Sequence, residues 1–437
     1  MQSSRSDDLS AAVPKPPSMM DEEMADAVPT ARNFGSAPAP TFPEGGAKAW
    51  SVVFGAWLVH MCTFGYTSSF GIYQSFYQQN QLADKSSFDI AWIGSLSFCF
   101  LFAAGFVSGP LFDRYGARVI LIPATVGYTS AIMFTSVCTK YYQFILAQGV
   151  YGGICSGMLF SPVMAAVGHY FQKKRGLAVG IVTTGSSVGG TFFPIILQKC
   201  FAGRVGFAWG VRTLGFVQLL LLSMGCVLVV ERLPPRRGHV YAPKAFLQTS
   251  YVLLIVGSWF VLWGLVVIYF FLCDYALHYV HASSSMSFYF LSILNAATLF
   301  GRLMFGRLGD RIGFISSFVM VAFIDAVLVF CWTAAKTNAG LTIWCIVFGF
   351  ISGGVFSLFP AAFAFISPQP QLIGAYLGQG MLFFGLACLT GSPITGAIIT
   401  SHGYLPASMF GGASFLLGTV LLLAARYTYQ PQWLKKA

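Results

Sequence analysis

The residues with the most chemical potential are a few ionisable side chains set among apolar neighbours. Arg302 is preceded by Asn295 and Thr298. On a helix these three fall within about 60° of one another and make a polar face. A guanidinium on such a face can hold a carboxylate through two parallel hydrogen bonds. Two other readings stay open: Arg302 snorkels to the nearer membrane surface, about 6 Å of helix away, or it pairs within the charged loop that follows. His60, Thr63, Thr67, Gly71 and Gln74 lie on one stripe of an otherwise apolar and aromatic segment. His60 has an ordinary pKa in the physiological range, so it is a candidate carrier of a proton as well as a hydrogen-bond partner for an adjacent helix. Asp325, between Ile324 and Ala326, reads first as a neutral or hydrogen-bonded structural acid. Gln148, Tyr151 and Gln379 are weaker polar candidates. The 43 phenylalanines read as ordinary lipid-facing and core material.

A second constellation is repeated. Residues 109–118 read Gly-Pro-Leu-Phe-Asp-Arg-Tyr-Gly-Ala-Arg, and residues 306–313 read Gly-Arg-Leu-Gly-Asp-Arg-Ile-Gly. Asp113 can cap the helix that follows it and favour its dipole. Arg114 and Arg118 can pair with acids or carbonyls of a neighbouring segment, and Gly116 allows the tight turn. Asp310 and Arg311 are the counterparts in the second copy. A single copy is an ordinary basic turn; two copies make a gate that ties segments together at one face.

The elements that must position these groups follow from composition. Of 437 residues, 56% are hydrophobic and 9% charged, against roughly a quarter charged in a soluble chain. That excludes a typical soluble enzyme. A bilayer span needs about 20 apolar residues, and apolar runs at 50–77, 90–111, 118–138, 143–167, 176–198, 209–230, 250–273, 286–306, 314–334, 341–366, 372–399 and 405–426 predict twelve. The expected fold is an all-α membrane protein with twelve transmembrane helices in two six-helix repeats. Residues 1–46, rich in Pro, Ala, Ser and acids, are expected to be a disordered cytoplasmic tail. Residues 47–231 form the first bundle, 232–249 a cytoplasmic link, 250–427 the second bundle and 428–437 a cytoplasmic tail. The net charge of +11 is scattered between apolar runs, which speaks against nucleic acid. Most Lys and Arg fall in the tails and even-to-odd loops, so both termini are expected in the cytoplasm. The ten cysteines lie within or beside apolar runs without a Cys-x-x-Cys pair and read as small buried hydrophobes. No phosphate loop, His-Glu-x-x-His spacing or nucleophile elbow occurs, so no enzyme activity, cofactor or metal is expected.

The halves are repeats of one another. Asp113 and Asp310 stand 197 residues apart, Pro162 and Pro360 stand 198 apart, and Gly176 and Gly180 match Gly374 and Gly378 at 198. Parallel six-span repeats around a central cavity are an architecture of secondary transporters. The two loops resemble the loop motif of the major facilitator superfamily. Residues 170–180, Tyr-Phe-Gln-Lys-Lys-Arg-Gly-Leu-Ala-Val-Gly, closely resemble the span 5 pattern of its monocarboxylate porter family, in particular the fungal branch. Glu44-Gly45-Gly46, ending at Trp50, resembles that family's opening of span 1 with one extra residue. The likeness covers about 44 to 427. Physically, Lys173–Arg175 suit a helix end held at anionic headgroups, Gly176, Gly180 and Gly185 suit close helix approach, and Trp50 suits an interfacial anchor.

The resemblance implies a transporter that is gradient-driven or facilitative, in the plasma membrane by family default. It aligns Arg302 with the family's span 8 arginine. Proton-coupled members carry an aspartate where this chain has Thr298, and a span 1 lysine where the alignment gives Ser68, so their proton mechanism is not implied. The expected substrate site is Arg302, Thr298, Asn295, His60, Thr67 and Ser68; the expected gate is Asp113, Arg114, Arg118, Asp310 and Arg311. Expected partners are a small solute, a candidate coupling proton and the lipid bilayer. The leading reading is alternating-access transport of a small organic anion of monocarboxylate type. The alternative is the same fold carrying a neutral nutrient or vitamin, or exporting a secondary metabolite. A third, from another class, is a sensor or scaffold without transport.

Overall fold

A computed structural model describes residues 42–233 and 241–430. The expected disordered tail up to residue 41, part of the link (234–240) and residues 431–437 lie outside the described residues. Among the described residues there is helix and no strand, and eleven helices are long and apolar enough to cross a membrane. Span 2 is Ser87–Ala103 continued by Gly105–Tyr115. Span 3 is Arg118–Thr135, span 4 Tyr141–Gly168, span 5 Arg175–Ala202 and span 6 Gly206–Leu228. In the second half, span 7 is Thr249–His278, span 8 Ser284–Ile312 and span 9 Phe314–Phe330. Span 10 is Asn338–Ile366, span 11 Ile373–His402 and span 12 Tyr404–Tyr429.

Span 1 is the exception, and the sequence pattern hides it. Helix Ala47–His60 widens into a π turn at Met61–Gly65, loses regularity at Ser68–Ser69 and resumes as Phe70–Gln79. The hydroxyls of Thr63, Thr67, Ser68 and Ser69 each donate to the carbonyl four residues back, at 2.7, 3.0, 2.8 and 3.1 Å. Such back-bonding competes with the backbone ladder and bends helices. Gly65 is fixed from outside, since a Cβ there would lie 2.8 Å from the Cα of Gly189 on span 5.

Lipid tails are as apolar as leucine, so helix pairing in a bilayer relies on close packing and on polar bonds. The repeated loops use both. Asp113 Oδ2 accepts from the backbone N–H of Ala375 at 2.8 Å, in the first turn of span 11. Asp310 Oδ1 and Oδ2 accept from Gly176 N–H (2.7 Å) and Leu177 N–H (2.8 Å), in the first turn of span 5. Each loop acid therefore caps a helix of the opposite half. This corrects the expectation that Asp113 caps the helix following it: Glu231 Oε2, at the end of span 6, takes Ala117 N–H instead, at 3.2 Å. The caps require backbones in contact. A Cβ on Gly109 would strike the carbonyl of Gly374, and one on Gly306 that of Gly176.

The basic residues of the loops behave differently from the pairing expected of them. Arg114, Arg118 and Arg311 are exposed and form no ion pair among the described residues. Arg114 lies over the ring of Tyr115 at 5.4 Å. Helix N-termini attract carboxylates and offer nothing to a cation, so the acids carry the contact and the arginines keep their hydration. Arg175 also departs from the expected headgroup role: it is buried, and Nη1 donates to Ala364 O on span 10 at 3.0 Å. Lys173 and Lys174 are exposed as expected, while their N–H groups and that of Gln172 donate to Glu44 at 2.6, 3.0 and 2.8 Å. Glu44 holds a left-handed backbone (φ 53°), which costs a non-glycine residue about 1–2 kcal/mol, and the three charge-assisted bonds offset it. Beside these contacts, His169 packs on Phe112 at 5.3 Å. Burial, helped by Arg175 and Arg232, pushes its imidazole down to about 4, so it stands neutral.

Two substitutions test the closure. Asp310→Asn keeps the side chain's shape and removes the charge that the span 5 terminus attracts, a loss of about 1 kcal/mol or roughly fivefold in the open-to-closed ratio. Gly306→Ala sets a methyl against a backbone carbonyl that cannot turn aside. Spin labels at the exposed positions Lys173 and Arg311 should report a longer distance population in both variants. An unchanged distribution in both would remove the gating role.

Candidate functional site

Span 8 carries its polar face against span 5, and the two helices come from opposite halves. Thr298 Oγ1 lies 2.7 Å from Ser187 Oγ and donates to Asn295 O at 2.7 Å. A Cβ on Gly190 would lie 3.5 Å from Ser68 Cβ and 3.6 Å from Asn295 Cγ, which brings spans 1, 5 and 8 together at that level. Asn295 Nδ2 is buried and makes no hydrogen bond among the described residues.

Arg302 is 2% exposed. Its Nη1 donates to Thr183 O and Ser186 Oγ of span 5. The guanidinium carbon stands 4.7 Å from the ring centre of Phe356 and 5.9 Å from that of Phe64. Arg302 therefore neither snorkels nor joins the Asp310 loop. No carboxylate pairs with it among the described residues, and its Nε, buried, makes no hydrogen bond. A guanidinium withdrawn from water with an unused donor edge is a strong attractor for an anion.

The space beside it is a cavity of about 20 Å³, room for one water molecule. Arg302, His60, Thr183 and Ser186 form its polar corner, and six phenylalanines from both halves, with Pro360 and Met381, form the rest of the wall. His60 Nδ1 lies 3.2 Å from Ala56 O; because a carbonyl only accepts, the ring proton sits there and the lone pair is on Nε2. That atom is buried without a partner. Tyr269 of span 7 is an electrostatic neighbour of both Arg302 and Asp325. Asp325 is fully buried, and among the described residues neither oxygen has a hydrogen-bond partner, so the hydrogen-bonded role considered for it is not seen there.

The expected substrate residues thus separate into three places. Arg302 and His60 share the central cavity. Asn295, Thr298 and Ser68 lie together in the contact of span 8 with spans 5 and 1. Thr67 does not reach the central cavity; it lines a second cavity of about 20 Å³ inside the first half, with Tyr66, Tyr128 and Gln148. The π turn at Met61–Gly65 lies between His60 and Thr67 and shifts the helical register on which the two were grouped. Sequence reasoning missed Ser186, Tyr269 and the phenylalanine wall, because nothing in the spacing of so abundant a residue separates cavity-facing rings from lipid-facing ones.

The chain matches the family model of the Major Facilitator Superfamily over residues 52–392. It is 43% identical over 386 residues to the aspyridones efflux protein of Emericella nidulans, covering 88% of this chain and 79% of that protein. It is 36% identical over 407 residues to the agnestins efflux protein of Paecilomyces divaricatus, covering 92% of each. Among solved structures, the human organic anion transporter MFSD10 (TETRAN) superposes with a TM-score of 0.69 at 14% identity, over 86% of this chain and 99% of that one. The transporter FucP in its outward conformation superposes with a TM-score of 0.63, also at 14% identity and with the same coverage. These two likenesses are of fold. With the family model matched over most of its length, a relative of 43% identity and an all-helical membrane fold, this chain belongs to the major facilitator superfamily.

Proposed function

We propose that the protein is an alternating-access exporter of an organic anion, its cargo held between the halves by Arg302. The observation that carries this reading is the buried guanidinium with an unused Nε, no acidic partner among the described residues and a place in the wall of the inter-half cavity. Export is favoured over uptake of a monocarboxylate because relatives of 43% and 36% identity are named as efflux proteins. The loss of the proton-linked aspartate and lysine at Thr298 and Ser68 points the same way. The distribution of Lys and Arg supports placing the gate at the cytoplasmic face of the plasma membrane.

The mechanism follows from where the bonds lie. Arg302 belongs to the second half and its acceptors, Thr183 and Ser186, to the first. Closure of span 5 on span 8 uses Nη1 and an anion would use the free Nε edge, so the two are linked through one guanidinium. An anion arriving at Arg302 weakens that cross-half contact one turn from Gly306, where the two backbones meet. Cargo charge is thereby linked to the gate through a single helix.

Flux of labelled organic acids into liposomes holding the full chain tests the role. Removing one partner of a buried charged contact costs about 2–5 kcal/mol, so Arg302→Ala should lower flux by about 30-fold or more while the protein still inserts. Arg302→Lys should recover little, because an ammonium lacks the planar fork. Flux in Arg302→Ala equal to that of the parent chain would overturn the assignment.

A further inference from the structure

The wall opposite Arg302 has a composition that a generic apolar pocket does not need. Phe64, Phe102 and Phe160 come from the first half, and Phe356, Phe359 and Phe384 from the second. They form one connected set of ring contacts: Phe102–Phe160 at 5.6 Å, Phe64–Phe102 at 6.0 Å, Phe359–Phe384 at 4.2 Å, and, across the boundary between halves, Phe64–Phe356 at 5.3 Å and Phe102–Phe384 at 4.8 Å. Phe64–Phe356 and Phe102–Phe384 are edge-on, with interplanar angles of 65° and 78°. In a cavity that holds one water, cargo is admitted by parting the halves, and these two contacts must break when that happens.

We propose that the cargo is a planar, conjugated anion, such as an aromatic carboxylate, a phenolate or a ring enolate, whose flat body enters between Phe64 and Phe356 while its acidic group takes the Nε edge of Arg302. The proposal rests on the reading of Arg302 as the anion site and narrows what that site accepts. A conjugated ring re-forms, on each of its faces, the ring contact that the parting halves lose. A saturated ring of the same volume fills the space but cannot supply the face-to-edge electrostatics. The guanidinium already lies over Phe356, so the same geometry lays a planar acid group, coplanar with its ring, along the fork. Polarity is confined to one corner of the cavity, at Arg302, His60, Thr183 and Ser186. That suits a cargo with one acidic end and an apolar remainder, and it disfavours sugars and zwitterions.

Titrations of the full chain in detergent with 1-naphthoate and with its decahydro analogue test this, since the two share charge and carbon skeleton and differ in conjugation. The parent chain should bind 1-naphthoate about tenfold more tightly, the factor that one or two ring contacts supply. Phe356→Leu should bring the ratio close to one by weakening naphthoate more than its saturated partner, and Arg302→Ala should lose both. If Phe356→Leu does not fold, Phe64→Leu is read the same way. Equal affinity of the parent chain for the two acids, no binding of naphthoate, or a ratio that survives both leucine variants overturns the proposal. Equal affinities that both vanish in Arg302→Ala leave the anion site standing and remove only the aromatic requirement. Binding that persists in Arg302→Ala removes the anion site itself.

Discussion

The arrangement depends on one constraint: the first turns of spans 5 and 11 expose backbone N–H groups that no residue of their own helix can satisfy. In each case a carboxylate from the opposite half satisfies them, Asp310 at Gly176 and Leu177, Asp113 at Ala375. A carboxylate reaches a backbone N–H only if the two helices meet without side chains between them, which is why Gly306 faces Gly176 and Gly109 faces Gly374. Acid, helix terminus and glycine are one device, written twice by duplication. Because the bonds are few and directional, they break together when the halves tilt, and that suits a gate better than a broad apolar contact would.

The duplicated device explains why the sequence was legible where it was. The offset between Asp113 and Asp310 is matched to within one residue by Pro162 and Pro360 and by Gly176 and Gly374, since the contact needs its acid and its glycine partner at matched depths in both halves. The long apolar runs located eleven spans because a bilayer leaves a helix no alternative. What stayed hidden was the partner of each acid. A capping acid is read from sequence as serving the next helix, whereas here the acid and the terminus it caps stand 133 to 262 residues apart, and distance in sequence carries no such signal.

The site was half legible for a related reason. Arg302 stood out because a guanidinium in an apolar run is costly, and His60 because it shares that setting. Thr67 was grouped with His60 by helical periodicity, which fails at a π turn followed by a break. The same hydroxyl-rich run, Thr63 to Ser69, that made the stripe look like a binding face is what bends the helix. The wall of phenylalanines was invisible in a chain with 43 of them, and only the meeting of the two halves selects six.

Lock and cavity meet on span 8. From Gly306 to Arg302 is one helical turn, about 6 Å, and both residues contact span 5, Gly306 through its backbone and Arg302 through Nη1. Gly180 sharpens the coupling, since a Cβ there would lie 2.6 Å from Arg302 O. Span 5 therefore follows span 8 closely from the gate to the cavity, with no compressible side-chain layer between them. A closed-packed pair of this kind transmits a tilt rather than absorbing it. The guanidinium that faces the cavity is thus also the group that fastens span 8 to span 5, and under the proposed function an anion drawing on it would loosen that contact.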